Sequence, residues 1–161
     1  MSLVNYKHVD VCQEELVVLR DINFHVERGE FVYLLGKVGS GKSTLLKSLY
    51  AEIPISKGEA HVFQYDMSTI KRSEIPFLRR KIGIIFQDFQ LLGDRTVNQN
   101  LEFVLKATGW TDKRKISEQI DLVLSIVGMT KKGYKRPHQL SGGEQQRIVI
   151  ARALLNSPEL I

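Results

Sequence analysis

A glycine-rich loop between an apolar run and a helical segment is the feature that most constrains the fold of this 161-residue chain. The apolar run Phe31–Leu35 leads into Gly-Lys-Val-Gly-Ser-Gly-Lys-Ser at positions 36–43, and apolar side chains recur at helical spacing over 42–50. A buried strand, a glycine loop and a helix in this order form a phosphate-binding unit. The sequence therefore predicts an α/β core that binds a nucleotide.

The residues of this loop have distinct expected parts in holding a triphosphate. Glycines let the loop curl tightly, so that backbone N–H groups point at the phosphate oxygens. We expect Lys42 to reach the β- and γ-phosphates, the Ser43 hydroxyl to bind Mg²⁺, and Thr44 to hold an α-phosphate oxygen. Lys37 and Val38 point away from the phosphates, or Lys37 adds positive charge there. The nucleotide-binding residues predicted in this part of the chain are Gly36, Lys37, Val38, Gly39, Ser40, Gly41, Lys42, Ser43 and Thr44.

A second glycine motif, Leu-Ser-Gly-Gly-Glu-Gln-Gln-Arg at 140–147, precedes a long helical segment. Ser141 can cap that helix and hydrogen-bond a phosphate, while Gly142 and Gly143 allow close approach. One triphosphate needs only one glycine motif that binds its phosphates. Two such motifs in one chain therefore predict a head-to-tail dimer in which the second motif closes over the partner's nucleotide. A mere helix cap would require only Ser141.

Hydrophobic periodicity predicts alternating strands and helices. Strands are expected at 5–9, 18–27, 31–35, 60–64 and 82–86, with a turn at 57–58, and helices at 42–50, 73–80, 96–107, 115–127 and 141–156. The strand at 18–27 alternates and is expected to be half-buried and antiparallel, whereas those at 31–35 and 82–86 are continuously apolar and should be fully buried. Gly128 is expected to end the helix before it. Strands separated by helices favour a parallel α/β core, with the mostly helical stretch 88–147 inserted into it.

Composition excludes several classes of protein. The net charge is +5, but acidic residues are interspersed among the basic clusters and no nucleic-acid-binding signature is present, so no nucleic-acid partner is expected. No apolar run approaches the ~20 residues of a membrane-spanning helix, and the N-terminus lacks the apolar core of a signal peptide. The single cysteine, Cys12, cannot form an internal disulfide, which favours the cytosol.

Together with Gln87 in Ile-Ile-Phe-Gln-Asp at 84–88, the two glycine motifs make the chain resemble an ABC-family ATPase subunit over essentially its whole length. The resemblance implies ATP and Mg²⁺ as ligands, Lys42 and Gln87 as catalytic residues, and Ser43 and Gln87 as metal-binding residues. It identifies 36–43 as the Walker A motif and 140–147 as the signature motif. The signature residues expected at the ATP of the partner protomer are Ser141, Gly142, Gly143 and Glu144.

The resemblance also implies a fold. We expect a single ABC ATP-binding domain over 1–161, with a P-loop (RecA-like) core, an antiparallel β subdomain and an inserted helical subdomain. The core with its β subdomain would comprise 1–87 and 148–161, and the helical subdomain with the signature motif would comprise 88–147.

A narrower resemblance lies in residues 74–97, which are similar to cell-division ATP-binding proteins of the FtsE type. This implies an integral membrane partner (FtsX-like) that holds the ATPase at the cytoplasmic face of the cell membrane. Phe89, Leu91 and Leu92 are candidates for the groove that receives this partner, or else are buried. A lipoprotein-release or macrolide-efflux ATPase is the alternative within the family. The signature motif argues against a P-loop GTPase or kinase.

The sequence departs from the family pattern at two places. An aromatic residue that stacks on adenine is usual near the end of the first strand, and the matching position is assigned to Cys12; the lost stacking would weaken adenine binding by ~1 kcal/mol. The family also continues into an apolar strand ending in Asp-Glu, followed by a switch histidine, whereas the sequence ends at Ile161. We expect the native protein to be longer. The other hypothesis is a non-hydrolysing nucleotide-binding module without these C-terminal core elements.

Overall fold

The computed structural model describes residues 2–161, which form two compact units that divide at Arg79/Arg80. The first unit carries a four-stranded antiparallel sheet and the second is helical, so the chain is mixed α/β. The core and helical-subdomain boundaries given above from the sequence stay a prediction. The two units are described in turn.

The sheet of the first unit has the strand order β2-β1-β3-β4. Its strands are β1 (Ser2–Gln13), β2 (Leu16–Glu27), β3 (Lys57–Val62) and β4 (Tyr65–Asp66). The predicted half-buried antiparallel strand at 18–27 is confirmed by β2, which pairs with β1 along its whole length. The first predicted strand extends well beyond 5–9, and the expected turn at 57–58 is wrong because these residues open β3.

Helix α1 (Lys42–Leu49) packs on β1 through a buried hydroxyl pair. The Ser48 hydroxyl donates to the Leu45 carbonyl at 2.7 Å, so its oxygen is free to accept from the Tyr6 hydroxyl at 3.1 Å. Burial of the Tyr6 phenol raises its pKa to about 12, despite the opposing hydrogen bond to Ser48. This contact fixes the helix that follows the glycine loop against the sheet.

The predicted buried strand Phe31–Leu35 is absent from the sheet. Phe31, Tyr33 and Leu35 are 81%, 76% and 89% exposed, and no strand of residues 2–161 pairs with this run. A continuous apolar run shows that a segment suits the middle of a sheet, but a strand also needs neighbours that satisfy its backbone groups. Such neighbouring strands come from other parts of a chain, and the hydrophobic periodicity of one segment does not predict them.

The predicted strand at 82–86 is reduced to a single parallel bridge. Ile82 pairs with Leu160, and the Gly83 N–H donates to the Leu160 carbonyl at 2.8 Å. The remaining residues of the run have no strand pairing, and Ile85 is 38% exposed. The short helix predicted next to it is confirmed as α2 (Ile75–Arg80).

The second unit packs three helices around one apolar core. The helices are α3 (Val97–Ala107), α4 (Lys113–Ile126) and α5 (Gly142–Leu154), with 3-10 turns at Thr130–Lys132 and Pro137–Gln139. The core residues of this unit are Val97, Leu101, Leu105, Ile116, Ile120, Val123, Leu124, Met129, Leu140, Ile148, Ala151 and Leu155. Within residues 2–161, no helix is both long and apolar enough to cross a lipid bilayer.

Side-chain caps explain where these helices begin. Thr96 forms a capping box with Gln99 at the start of α3, and Asp112 accepts from two backbone N–H groups at the start of α4. Gly128 follows α4 at φ 68°, the left-handed conformation expected from the sequence. Because caps act on groups within a few residues, the three predicted helices are confirmed to within a few positions.

Candidate nucleotide-binding site

The glycine loop and the start of α1 line a cavity of about 390 Å³ in the first unit. The lining residues are Gln13, Val18, Val38, Gly39, Ser40, Gly41, Lys42, Ser43 and Thr44. Seven of the nine are predicted nucleotide-binding residues, and they form one continuous stretch of the chain. The structure thus brings Val38 to the cavity wall but not the side chain of Lys37.

Two glycines are required by the backbone of this loop. Gly39 and Gly41 have φ values of 82° and 87°, in the left-handed region that residues with a Cβ rarely adopt. A Cβ on Gly41 would lie 2.6 Å from the Leu19 Cδ2, whereas a Cβ on Gly39 would project into open space. The loop is therefore held against β2 on one side and left clear on the side where a ligand would lie.

Lys42 closes the loop from within. Its Nζ donates to the carbonyls of Gly36 and Lys37, each at 2.7 Å, and lies 3.4 Å from the Ser40 hydroxyl. An ammonium group has three donors and no acceptor, so all three are directed at neutral oxygens. A polyphosphate offers anionic oxygens to the same donors, and charge-assisted hydrogen bonds are about twice as strong as neutral ones. The Lys42 ammonium could therefore exchange these loop oxygens for the oxygens of a phosphate.

The first turn of α1 supplies backbone donors for an anion. The first intrahelical bond runs from the Leu45 N–H to the Gly41 carbonyl at 2.9 Å, so the N–H groups that precede it have no partner within the helix. No acidic residue lies in this turn, and no side chain caps it. Helix N-termini of this kind attract phosphate through free N–H groups and the positive end of the helix dipole.

The same turn fits a magnesium ion. Ser43 is exposed and lines the cavity, so its hydroxyl can ligate an ion that also takes phosphate oxygens. Mg²⁺ is usually bound through few protein ligands together with phosphates and water, and needs no dedicated cage. Residues 2–161 contain no group of three or more His, Cys, Asp or Glu side chains placed to hold a metal.

The structure places Gln13, and not Cys12, at the cavity. Successive residues of a strand point to opposite faces, so the two neighbours at the end of β1 cannot both face the loop. Cys12 is half-buried, and its backbone N–H donates to the Ser56 hydroxyl at 2.9 Å. Gln13 and Val18, on either side of the β1–β2 turn, take the lining position instead. Alternation alone does not tell which of the two faces the loop, because β1 has a register shift between Val11 and Cys12.

The signature motif opens α5 with a complete capping box. The Ser141 hydroxyl accepts from the Glu144 N–H at 3.2 Å, and the Glu144 carboxylate accepts from the Ser141 N–H at 2.9 Å. A Cβ on either Gly142 or Gly143 would meet nothing within 4 Å. The start of α5 is therefore held by a capping box and left uncovered at its two glycines.

Gln87 is exposed and lies in a turn of the second unit. The two residues that follow Asp88 adopt left-handed backbone angles, with φ of 60° at Phe89 and 50° at Gln90. Arg152 of α5 holds this strained segment, because its guanidinium donates to the Phe89 carbonyl at 2.8 Å and to the Gln90 carbonyl at 2.6 Å. The helix that carries the signature motif thus holds the segment that carries Gln87. Sequence reasoning missed Arg152, since nothing near it in the sequence identifies these acceptors.

The chain is similar to known ATP-binding proteins. The family model described as "ABC transporter" matches residues 19–161. The "Cell division ATP-binding protein FtsE" of Streptococcus pneumoniae is 42% identical over 143 residues, which is 89% of this chain and 62% of that protein. The "Methionine import ATP-binding protein MetN 2" of Salmonella choleraesuis is 41% identical over 141 residues, 88% of this chain and 41% of that protein.

Solved structures agree with these relatives. The bacterial ABC transporter cassette MJ0796, solved as a dimer, superposes with a TM-score of 0.84 at 31% identity, over 96% of this chain and 70% of that chain. The chain thus spans less than two thirds of the length of the curated relatives and most of the length of this cassette. The family match, the relatives and the shared fold agree with both glycine motifs: the chain belongs to the ABC transporter ATPase family.

Proposed function

We propose that the native polypeptide carrying these residues binds and hydrolyses ATP with Mg²⁺, and that two copies associate around ATP. The cavity formed by the glycine loop, with Lys42 inside it and the α1 N–H groups beside it, is the observation that carries this proposal. The uncovered start of α5 is the second anion-binding element, and a cassette of the same fold has been solved as a dimer.

The predicted catalytic and metal-binding residues, and three of the signature residues, have distinct parts in this proposal. Lys42 binds the terminal phosphates, Ser43 ligates the metal and Thr44 holds a phosphate oxygen. Gln87 orients the attacking water and contacts the metal. Ser141 and the two glycines after it bind the ATP held by the other copy. The bound Mg²⁺ supplies positive charge at the phosphate that is transferred.

Nucleotide binding is tested by Lys42→Ala, with Lys47→Ala as the matched control. Both lysines lie in α1, but Lys47 pairs with Glu52 at 2.8 Å and does not line the cavity. We expect Lys42→Ala to abolish phosphate release and to weaken ATP binding by at least tenfold, and Lys47→Ala to leave both within about twofold. Full turnover by Lys42→Ala would refute the proposed role of the loop.

We further propose that this ATPase acts in cell division on an integral membrane partner of the FtsX type, and that it lies at the cytoplasmic face of the membrane through that partner. The similarity to FtsE supports this, while the similarity to MetN favours import as the other candidate. Depletion of the native protein distinguishes them. Failure of septation, restored by the wild-type gene but not by Lys42→Ala, supports division; normal septation with impaired methionine uptake supports import.

A further inference from the structure

Glu144 creates an electrostatic problem at the start of α5. The capping box needs its carboxylate next to the Ser141 N–H, where the two atoms are 2.9 Å apart. The proposed ligand of the same helix start is the triphosphate of a second copy, which carries several negative charges. A carboxylate so close to a bound polyanion opposes binding unless another charge balances it.

Lys132 supplies the balancing charge. Its Nζ lies 3.1 Å from the Glu144 Oε1, while the other carboxylate oxygen, Oε2, accepts from the Ser141 N–H. The side chains are 36% and 21% exposed, so the pair is partly shielded from solvent. Both carboxylate oxygens are thus engaged; Lys132 is the cation paired with Glu144, and the charge of Lys135 also acts on the carboxylate.

The backbone around Lys132 is fixed independently of the ion pair. The Lys132 N–H donates to the Met129 carbonyl at 2.9 Å within the 3-10 turn. The next residue, Gly133, accepts from the Asn98 N–H at 2.9 Å and is buried against that side chain, and the Lys135 carbonyl accepts from the Val97 N–H at 2.8 Å. The first turn of α3 therefore anchors the segment from which Lys132 reaches α5.

We propose that Lys132 is a positioning residue of the signature motif, which holds and neutralises the Glu144 carboxylate so that the start of α5 attracts the phosphates bound by a second copy. This inference rests on the proposed ATP-driven association of two copies. The hydrogen bond from Ser141 first, and then Lys132, lower the pKa of Glu144, so the carboxylate stays ionised and the ion pair persists at neutral pH.

The test measures association of the native polypeptide, by sedimentation, with a non-hydrolysable ATP analogue at about 0.1 M salt. Lys132→Gln is compared with Lys131→Gln, its neighbour in the same 3-10 turn, for which residues 2–161 show no ion pair. A partly exposed ion pair alters an equilibrium by up to about fivefold and a symmetric dimer contains it twice, so K132Q should weaken association by about three- to twenty-five-fold. K131Q should stay within about twofold, and Lys132→Arg should restore wild-type association.

The double variant separates a positioning role from general damage to the fold. In Glu144→Gln there is no carboxylate to neutralise, so adding K132Q to E144Q should cause no further loss of association. At about 1 M salt, where the Debye length is ~3 Å, the difference between K132Q and K131Q should also disappear.

Three results would overturn the proposals. If the wild type associates but K132Q matches K131Q, the role of Lys132 is wrong. If K132Q is equally damaging in the E144Q background, its effect is structural and the inference again fails. If the wild type shows no association with the analogue, the proposed dimerisation fails and the inference falls with it.

Discussion

Arg152 provides the sharpest test of how the second unit is held together. Its guanidinium donates two hydrogen bonds to the backbone of Phe89 and Gln90, both of which have left-handed φ angles. Desolvation by burial lowers the pKa of Arg152, and the charge of Asp88 opposes this change. Arginine stays charged in proteins, and the two carbonyls replace part of the water that burial removes from the Arg152 guanidinium. Arg152→Ala removes both hydrogen bonds at once.

The expected cost follows from opposing terms. Hydrogen bonds that involve a charged donor contribute about 1.5–3 kcal/mol each, or about 3–6 kcal/mol for the two. Once released, Phe89 and Gln90 can leave the left-handed region, which recovers about 1–2 kcal/mol for each residue. Pairing the lower limits and the upper limits of the two terms, the free energy of unfolding should fall by about 1–2 kcal/mol in Arg152→Ala. Arg152→Lys keeps the charge but not the two-pronged geometry, and should lie between the wild type and Arg152→Ala.

Urea unfolding followed by the fluorescence of Trp110 measures this cost. Trp110 is the single tryptophan and donates to the Asn156 side chain within the same unit. With a slope of about 1–3 kcal/mol per molar urea, Arg152→Ala should lower the midpoint by about 1 M. Arg147→Ala is the matched control, because Arg147 lies on α5 but is exposed. It should shift the midpoint by less than about 0.3 M.

The outcome that refutes this reasoning is equal stability of the Arg152 and Arg147 variants. It would mean that the strain at Phe89 and Gln90 fully offsets the hydrogen bonds that Arg152 makes. If the free energy does fall, proteolysis should also cleave the segment after Gln87 faster in Arg152→Ala than in the control, because its backbone is no longer held.

Three further substitutions or titrations test the local physics. Asn100→Asp keeps the acceptor for the Leu92 N–H but places a carboxylate against the three backbone carbonyls to which the Asn100 amide donates. The free energy of unfolding should fall by about 2–4 kcal/mol at neutral pH, and this loss should shrink on acidification, when the carboxyl becomes protonated. A loss that does not change with pH would contradict this. Gly58 has φ of 95°, and Gly58→Ala would place a Cβ against the His8 backbone, so the free energy of unfolding in urea should fall by about 2–4 kcal/mol. Gly29→Ala should lower it by only about 1 kcal/mol, because a Cβ on Gly29 would meet nothing within 4 Å. Burial raises the pKa of Tyr6 from 10.0 to about 12, so its contribution to stability is complete below pH 10 and is lost as the pH rises to about 12. The difference in tyrosinate absorbance between the wild type and Tyr6→Phe should therefore titrate with a midpoint near pH 12. A midpoint near pH 10 would show that the phenol is not desolvated.

Local signals in the sequence determined the glycine loop, the helices and their ends. The left-handed glycines in Gly36–Ser43, the capping boxes at Thr96 and Ser141, and Gly128 after α4 each act on groups within a few residues. Backbone groups so close in sequence have few alternatives, so residue type alone fixes their conformation. The seven loop residues that line the cavity were predictable for the same reason.

Only the tertiary structure decided which distant groups meet. The apolar run Phe31–Leu35 suits a buried strand, but its exposure depends on which strands pair with it, and sequence pattern carries no record of partners. Gln13 rather than Cys12 reaches the cavity because the β1–β2 hairpin register sets the facing residue. The bonds from Arg152 to Phe89 and to Gln90, and the pair of Lys132 with Glu144, join residues 63, 62 and 12 positions apart. Such contacts form only when the packing of the whole unit offsets the entropy lost in bringing distant segments together. The sequence alone therefore did not predict them.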